Sequence, residues 1–139
     1  MSSTPHELRA FTKERAAALG FSLCGVTCAL ARGRTEFYDW WVSMGFHGDM
    51  HYLQRQKKRR ASIEQILPGA RSVIVCAMRI PSSPHAAPPE PGRRYGKIAR
   101  YALHEDYHSR LLPLLERLGR EIDEKAGTSH SRAYVDTGP

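Results

Sequence analysis

The segment HEDYH at 104–108 sets two histidines four residues apart, with a glutamate after the first. On a helix this H-E-x-x-H spacing puts His104 and His108 one turn apart, where they bind zinc while Glu105 activates water. That pattern alone reads as a zinc hydrolase. A third ligand is needed, and Glu121 or Glu124 would supply it. A straight helix, however, carries those residues about 25 Å or more from His104 at roughly 1.5 Å per residue. His104 also precedes Asp106, which is the better helix cap, so two solvated histidines are the alternative. His47 and His51 repeat the i, i+4 spacing around Asp49, and no cysteine or further histidine converges on them in sequence.

Asp136 follows the apolar pair Tyr134 and Val135 and precedes a Thr-Gly turn, which puts it at a strand end facing a cleft. A carboxylate beside apolar surface holds its proton more tightly, as a general acid working at neutral pH must. By residue type alone, an aspartate capping a turn is the commoner explanation. Cys24 and Cys28 are spaced CxxxC around a glycine. Small buried thiols explain them better than redox chemistry. RQKKRR at 55–60 places five cations in six positions, and GRRYGKIARY at 92–101 interleaves four more with tyrosines. Cations mixed with aromatics can hold a phosphate backbone while stacking on bases. A solvated basic surface is the alternative.

These residues need elements to position them. Thr4, Pro5 and Glu7 write a capping box with proline at the first helical position, and Leu8, Phe11, Arg15, Ala18 and Leu19 continue the helix to a stop at Gly20. Residues 21–27 read as a short strand in which Gly25 marks a bulge or a close backbone approach. Phe37, Trp40, Trp41 and Met44 set a second helix ending at Gly45, its aromatic stripe expected in the core. Asp49 is the expected cap of a short helix from Met50, and Ser62 with Gln65 frames another that must end at Leu67-Pro68-Gly69. The β-branched run at 72–80 predicts a central strand buried on both faces. Pro81–Pro91 is a proline-rich surface loop. A helix over 106–125 carries Leu111, Leu115, Leu118 and Ile122 on one face, with Gly127 as its stop. Pro113 predicts a kink or a late start. Residues 133–136 read as a strand. Helices and strands interleave, so the fold class is α/β or α+β around one sheet.

The totals fit these elements. At 139 residues the chain is about one domain long, and 41% apolar with 25% charged residues is an ordinary globular composition. Its longest apolar run, Val73 to Met78, is far too short to span a bilayer, and MSSTPHELRAF lacks the apolar core of a signal peptide. A cytoplasmic location with no membrane partner is expected, with all three cysteines reduced. A balance of 21 Lys+Arg against 14 Asp+Glu, net +7, favours polyanionic partners such as nucleic acid.

Five segments, in order, resemble the epoxyqueuosine reductase family: GFSLCGVT at 20–27, GFHGDMHYL at 45–53, RRASIEQILPGARSVIV at 59–75, ARYALHEDYH at 99–108 and YVDTGP at 134–139. The resemblance implies a cobalamin-binding α/β (α+β) domain like those of flavin reductases and nitroreductases. It implies an oxidoreductase that reduces epoxyqueuosine to queuosine in a tRNA anticodon loop during tRNA processing. Asp136 matches the aspartate that protonates the epoxide oxygen, and Arg60, Ala99 and Arg100 match or adjoin cobalamin contacts, with Asp136 on the same cleft. The basic stretches then face the tRNA anticodon stem-loop. The family's similar segment usually keeps the Asp-Tyr-His part of HEDYH without the first histidine and glutamate, which makes the zinc pattern accidental.

Members of the family continue past VDTGP into the remainder of the cobalamin fold and a ferredoxin-like region holding two 4Fe-4S clusters. The three cysteines here lack cluster spacing, and no metal ligands are assigned to this chain. Residues 1–139 are therefore expected to be the N-terminal part of a cobalamin-binding reductase domain, incomplete at the C-terminus. As a fragment or split subunit it would depend on an external electron donor and be inactive alone; the resemblance implies a monomer. The competing expectations are a non-catalytic basic RNA-binding module and the zinc hydrolase of His104, Glu105 and His108.

Overall fold

The computed structural model describes residues 3–29, 35–79, 91–92, 94, 96–127 and 130–136. The elements are α1 (Pro5–Ala18), β1 (Leu23–Cys28), α2 (Thr35–Ser43), α3 (His51–Arg55), α4 (Lys57–Ala61), β2 (Ser72–Ala77) and α5 (Tyr107–Ala126), with 3-10 turns at Ile63–Gln65 and Arg100–Leu103. This mixture of helices with a small sheet is α+β. Among the described residues the chain forms two compact units, one of Met1–Cys24 with Cys76–Asp136 and one built on Gly25–Val75.

The first unit is held by α1 against α5. The expected capping box starts α1: Thr4 Oγ1 accepts from the Glu7 N–H at 3.2 Å, and Glu7 Oε2 accepts from the Thr4 N–H at 2.8 Å. Gly20, at φ +90°, then takes the left-handed conformation that turns the chain into β1. Ala16, Phe21 and Leu118 are the buried centre, and Leu19, Leu111, Leu115 and Ile122 pack around it. Fully burying Phe21 or Leu118 stabilises the fold by about 1.5–3 kcal/mol each. At the edge of this helix pair the Arg15 guanidinium meets Glu121 at 2.7 Å, and Arg117 meets the same carboxylate at 3.0 Å.

Asp106 caps α5 as expected, accepting from the His108 N–H at 2.9 Å, and Gly127 ends the helix at φ +80°. The helix neither starts late nor stops at Pro113 but runs through it. Packing of the leucine face outweighs the one hydrogen bond that proline cannot donate.

The strand expected over 133–136 is not found; residues 130–136 are irregular and lie along α5. Two features fix them there. Ser131 donates from both its N–H and its Oγ to Asp123 Oδ2 at 3.0 Å. Gly119 of α5 gives the room, since a Cβ at that position would lie 2.3 Å from Ser131 Oγ.

The strands β1 and β2 form a two-stranded sheet. The Ser22 N–H donates to Ala77 O at one end and the Ala29 N–H to Arg71 O at the other, so the strands run antiparallel. Seven residue steps on the β1 side match six on the β2 side between these bonds, so β1 carries one extra residue between Ser22 and Ala29. The expected central position of β2 is not found. It has one neighbour among the described residues, and Val75 is 61% exposed.

In the second unit, the Tyr38 hydroxyl donates to Leu53 O at 2.9 Å and Asp39 pairs with Lys57 at 3.1 Å, tying α2 to α3 and α4. Gly45, at φ +73°, ends the α2 segment as expected. The aromatic stripe is not core: Phe37, Trp40 and Met44 are all at least half exposed, and Val42 is the buried residue of that helix. Asp49 does not cap α3 with its side chain; Met50 occupies the cap position. The helix expected after Ser62 is a single 3-10 turn, and beyond it the Gly69 N–H donates to the Glu64 carboxylate. Residues 81–90 of the proline-rich loop lie outside the described residues.

Candidate active site

The start of α5 orients three consecutive side chains. Asp106 spends one carboxylate oxygen, Oδ1, on both the His108 N–H and His108 Nδ1, the latter at 2.8 Å. Capping the helix therefore also fixes the imidazole. Its other nitrogen, Nε2, reaches Asp136 Oδ1 at 2.6 Å, and the Tyr107 hydroxyl donates to Asp136 Oδ2. The Tyr107 and His108 rings stack with centroids 4.3 Å apart, while Tyr101 meets Tyr107 edge-on at 6.4 Å. Asp136 comes from the segment pinned by Ser131 and Gly119, so α5 supplies the partners and the anchor of one carboxylate.

The electrostatics follow from those bonds. Both nitrogens of His108 face carboxylate oxygens, so the doubly protonated ring satisfies both at once. Its pKa is raised, first by the bond to Asp106, then by the bond to Asp136 and by the charges of both, with burial opposing. Asp106 is held below the usual carboxylate range by its bonds from the His108 backbone and ring. The Tyr107 phenol is pushed up, chiefly by its hydrogen bond to Asp136, and remains a donor. The cluster is an Asp106–His108–Asp136 chain with a second donor at Asp136, an arrangement that can hold a proton at one carboxylate and replace it.

The apolar setting expected around Asp136 is not what surrounds it. Its side chain is 57% exposed and lies between a phenol and an imidazole. The H-E-x-x-H reading also fails in its helical premise. His104 ends the 3-10 turn, α5 begins only at Tyr107, and both nitrogens of His108 are engaged by carboxylates. Among the described residues no group of three His, Cys, Asp or Glu side chains converges as a metal site.

Ala99 and Arg100 fall in the same unit as Asp136. Ala99 is extended at φ −62° and ψ 139°, and its carbonyl accepts from the Ala102 N–H at 3.0 Å. The Arg100 side chain lies outside the described residues. Arg60 belongs to the second unit, at α4, where its guanidinium donates to Gln56 Oε1 at 3.3 Å. Sequence reasoning missed His108 and Tyr107 as partners of Asp136. Only the Asp106 cap was available to flag that helix start.

A cavity of about 380 Å³ opens beside Tyr107, with Tyr101, Glu105, Met78, Leu111 and Arg79 in its walls. The three cysteines are all free thiols. Cys24 and Cys76 sit 3.9 Å apart, and burial with the neighbouring Cys24 pushes the Cys76 thiol up to about 12, so it is not a ready nucleophile. No described helix is long and apolar enough to cross a membrane.

Residues 60–137 match the family model described as Epoxyqueuosine reductase QueG, DUF1730. The chain is 40% identical over 129 residues to an epoxyqueuosine reductase of Gloeobacter violaceus, covering 91% of this chain and 39% of that protein. It is 34% identical over 140 residues to one of Synechococcus sp., covering 97% and 41%, and 32% identical over 122 residues to one of Salmonella typhimurium, covering 87% and 32%. The chain thus spans about two-fifths or less of the length of these curated relatives. No solved structure matches it. With more than half of its length on that family model, the chain belongs to the epoxyqueuosine reductase QueG, DUF1730 family.

Proposed function

We propose that this chain carries the proton-handling part of an epoxyqueuosine reductase, acting on tRNA in the cytoplasm within a nitroreductase-like cobalamin-binding domain. The observation that carries the reading is Asp136 seated between the Tyr107 hydroxyl and His108 Nε2, with Asp106 behind the histidine. Reducing an epoxide to an alkene with loss of water consumes two electrons and two protons, and the epoxide oxygen must be protonated as it departs. In this reading imidazolium His108, its charge stabilised by Asp106, gives a proton to the Asp136 carboxylate, which passes it to that oxygen. Solvent then reprotonates the neutral His108. Tyr107 holds the second carboxylate oxygen so that the acid keeps one orientation. Positioned acid catalysis of this kind contributes about 10²–10⁴-fold to a rate.

Cobalamin, when bound, would supply the electrons through its reduced cobalt. The residues present fit part of such a group. A flat, amide-fringed ring calls for an apolar face with backbone donors at its edge. Exposed Ile98, Tyr101 and Leu103 flank the N–H of Ala99 in one short run. Arg60, Ala99 and Arg100 would hold it, as the family resemblance implies. The 4Fe-4S clusters expected of the family have no ligand set among the described residues.

An absorbance titration of the purified chain with cobalamin tests the reading. A spectral change saturating at micromolar cofactor, weakened by Arg60→Ala, is expected. No spectral change and no retention on gel filtration would overturn it.

A further inference from the structure

A second cavity, of about 510 Å³, adjoins the one beside Tyr107. Met78, Arg79 and Arg110 line both, so two guanidinium-bearing residues stand on the wall the cavities share. Each is placed by the fold. Arg79 follows β2, where its N–H donates to Ser22 Oγ at 3.1 Å, and Arg110 lies in the first turns of α5.

Neither cation has a structural occupation among the described residues. Among the described residues neither makes an ion pair, whereas Arg15 and Arg117 both meet Glu121 and Lys57 meets Asp39. Arg110 also stands near the positive end of the α5 dipole, where a cation is disfavoured. Two exposed cations gathered on one wall of a basic chain repel each other unless an anion lies between them. Among the described residues, the cavity beside Tyr107 carries one opposing carboxylate, Glu105, and the adjoining cavity none. Guanidinium forks match phosphate oxygens in geometry as well as charge.

We propose that Arg79 and Arg110 form a phosphodiester-binding subsite beside the Asp136 cluster. Tyr107 links the two, since it lines the cavity and its hydroxyl holds Asp136. A phosphodiester held here leaves the attached nucleoside facing Tyr101 and Tyr107. Two sources share this chemistry: the backbone of an RNA loop and the nucleotide tail of a cobalamin. Which of them fills the subsite rests on the reductase reading; the subsite itself rests on the two arginines.

The test uses the full chain with Arg79→Gln, Arg110→Gln and the double variant, each checked for wild-type thermal unfolding. Three probes are titrated: a single-stranded RNA loop hairpin, cobalamin, and cobinamide, which lacks the nucleotide tail. The double variant is expected to lose about 10-fold or more in affinity for one phosphodiester probe. Loss confined to RNA, with a shallower salt dependence, assigns the RNA backbone. Loss for cobalamin but not cobinamide assigns the cofactor tail. A double variant that binds RNA and cobalamin as tightly as wild type overturns the subsite and leaves the reductase reading standing. A wild-type chain that binds none of the three probes overturns both.

Discussion

His108 connects the cap of α5 to Asp136, and its protonation state is the most direct physical readout of the cluster. With its pKa raised above the ordinary 6.5, its imidazole signals in an NMR titration are expected to turn over above that value, and Asp136→Asn should bring the midpoint down. A wild-type midpoint at the ordinary value, unmoved by the substitution, would show that the two groups do not interact in solution. The sign of the linkage follows. A histidine whose folded pKa is raised adds stability that is fully present below its unfolded value, and this is lost as pH rises through the folded one. The 130–136 segment should therefore loosen on the alkaline side of the His108 midpoint. At this scale the sequence alone was ambiguous. Asp136 by type was a turn cap and became an acid only through its family-like surroundings. The environment expected for it was apolar, whereas the one found is polar. Its partners lie 28 and 29 residues away, and no local pattern encodes a pairing made by tertiary packing.

Gly119 and Glu121 sit on α5 and show how that helix serves the site. In an exposed helix Gly→Ala ordinarily stabilises by about 0.5–1 kcal/mol. Here the added methyl meets Ser131, so Gly119→Ala is expected to destabilise by about 1–3 kcal/mol in urea unfolding and to uncouple Asp136 from His108. A stabilised variant would mean that Ser131 does not pack against Gly119. Glu121, gripped by Arg15 and then Arg117, has its pKa lowered to about 2. A depressed carboxylate contributes stability above its unfolded pKa of about 4.5, lost as pH falls towards 2. Glu121→Gln should flatten that acid limb of the unfolding curve; an unchanged limb would assign the acid sensitivity elsewhere. Both long helices were legible because their caps are local chemistry: the Thr4 and Glu7 box, Asp106, Gly20 and Gly127. The burial of α2 and β2 was misjudged for the opposite reason. Apolar spacing shows which face would be buried but not whether a partner covers it, and the two-stranded sheet leaves Val75 and the Trp40 stripe exposed.

Across the whole molecule, the net charge of +7, the carboxylate–histidine cluster and the arginine-walled cavities would, on the proposed reading, serve one kind of partner, a polyanion presenting a reactive group to a proton donor. On the proposed reading that group is an epoxide, and Asp136 with His108 would supply the acid side of its reduction. The most direct measurement is the conversion of an epoxyqueuosine-containing anticodon stem-loop by the chain loaded with cobalamin and given a strong external reductant, comparing wild type with Asp136→Asn. Loss of about 100-fold or more in kcat, with stem-loop affinity unchanged, is the predicted result. An Asp136→Asn variant that turns over at the wild-type rate would contradict the assignment of Asp136 as the acid.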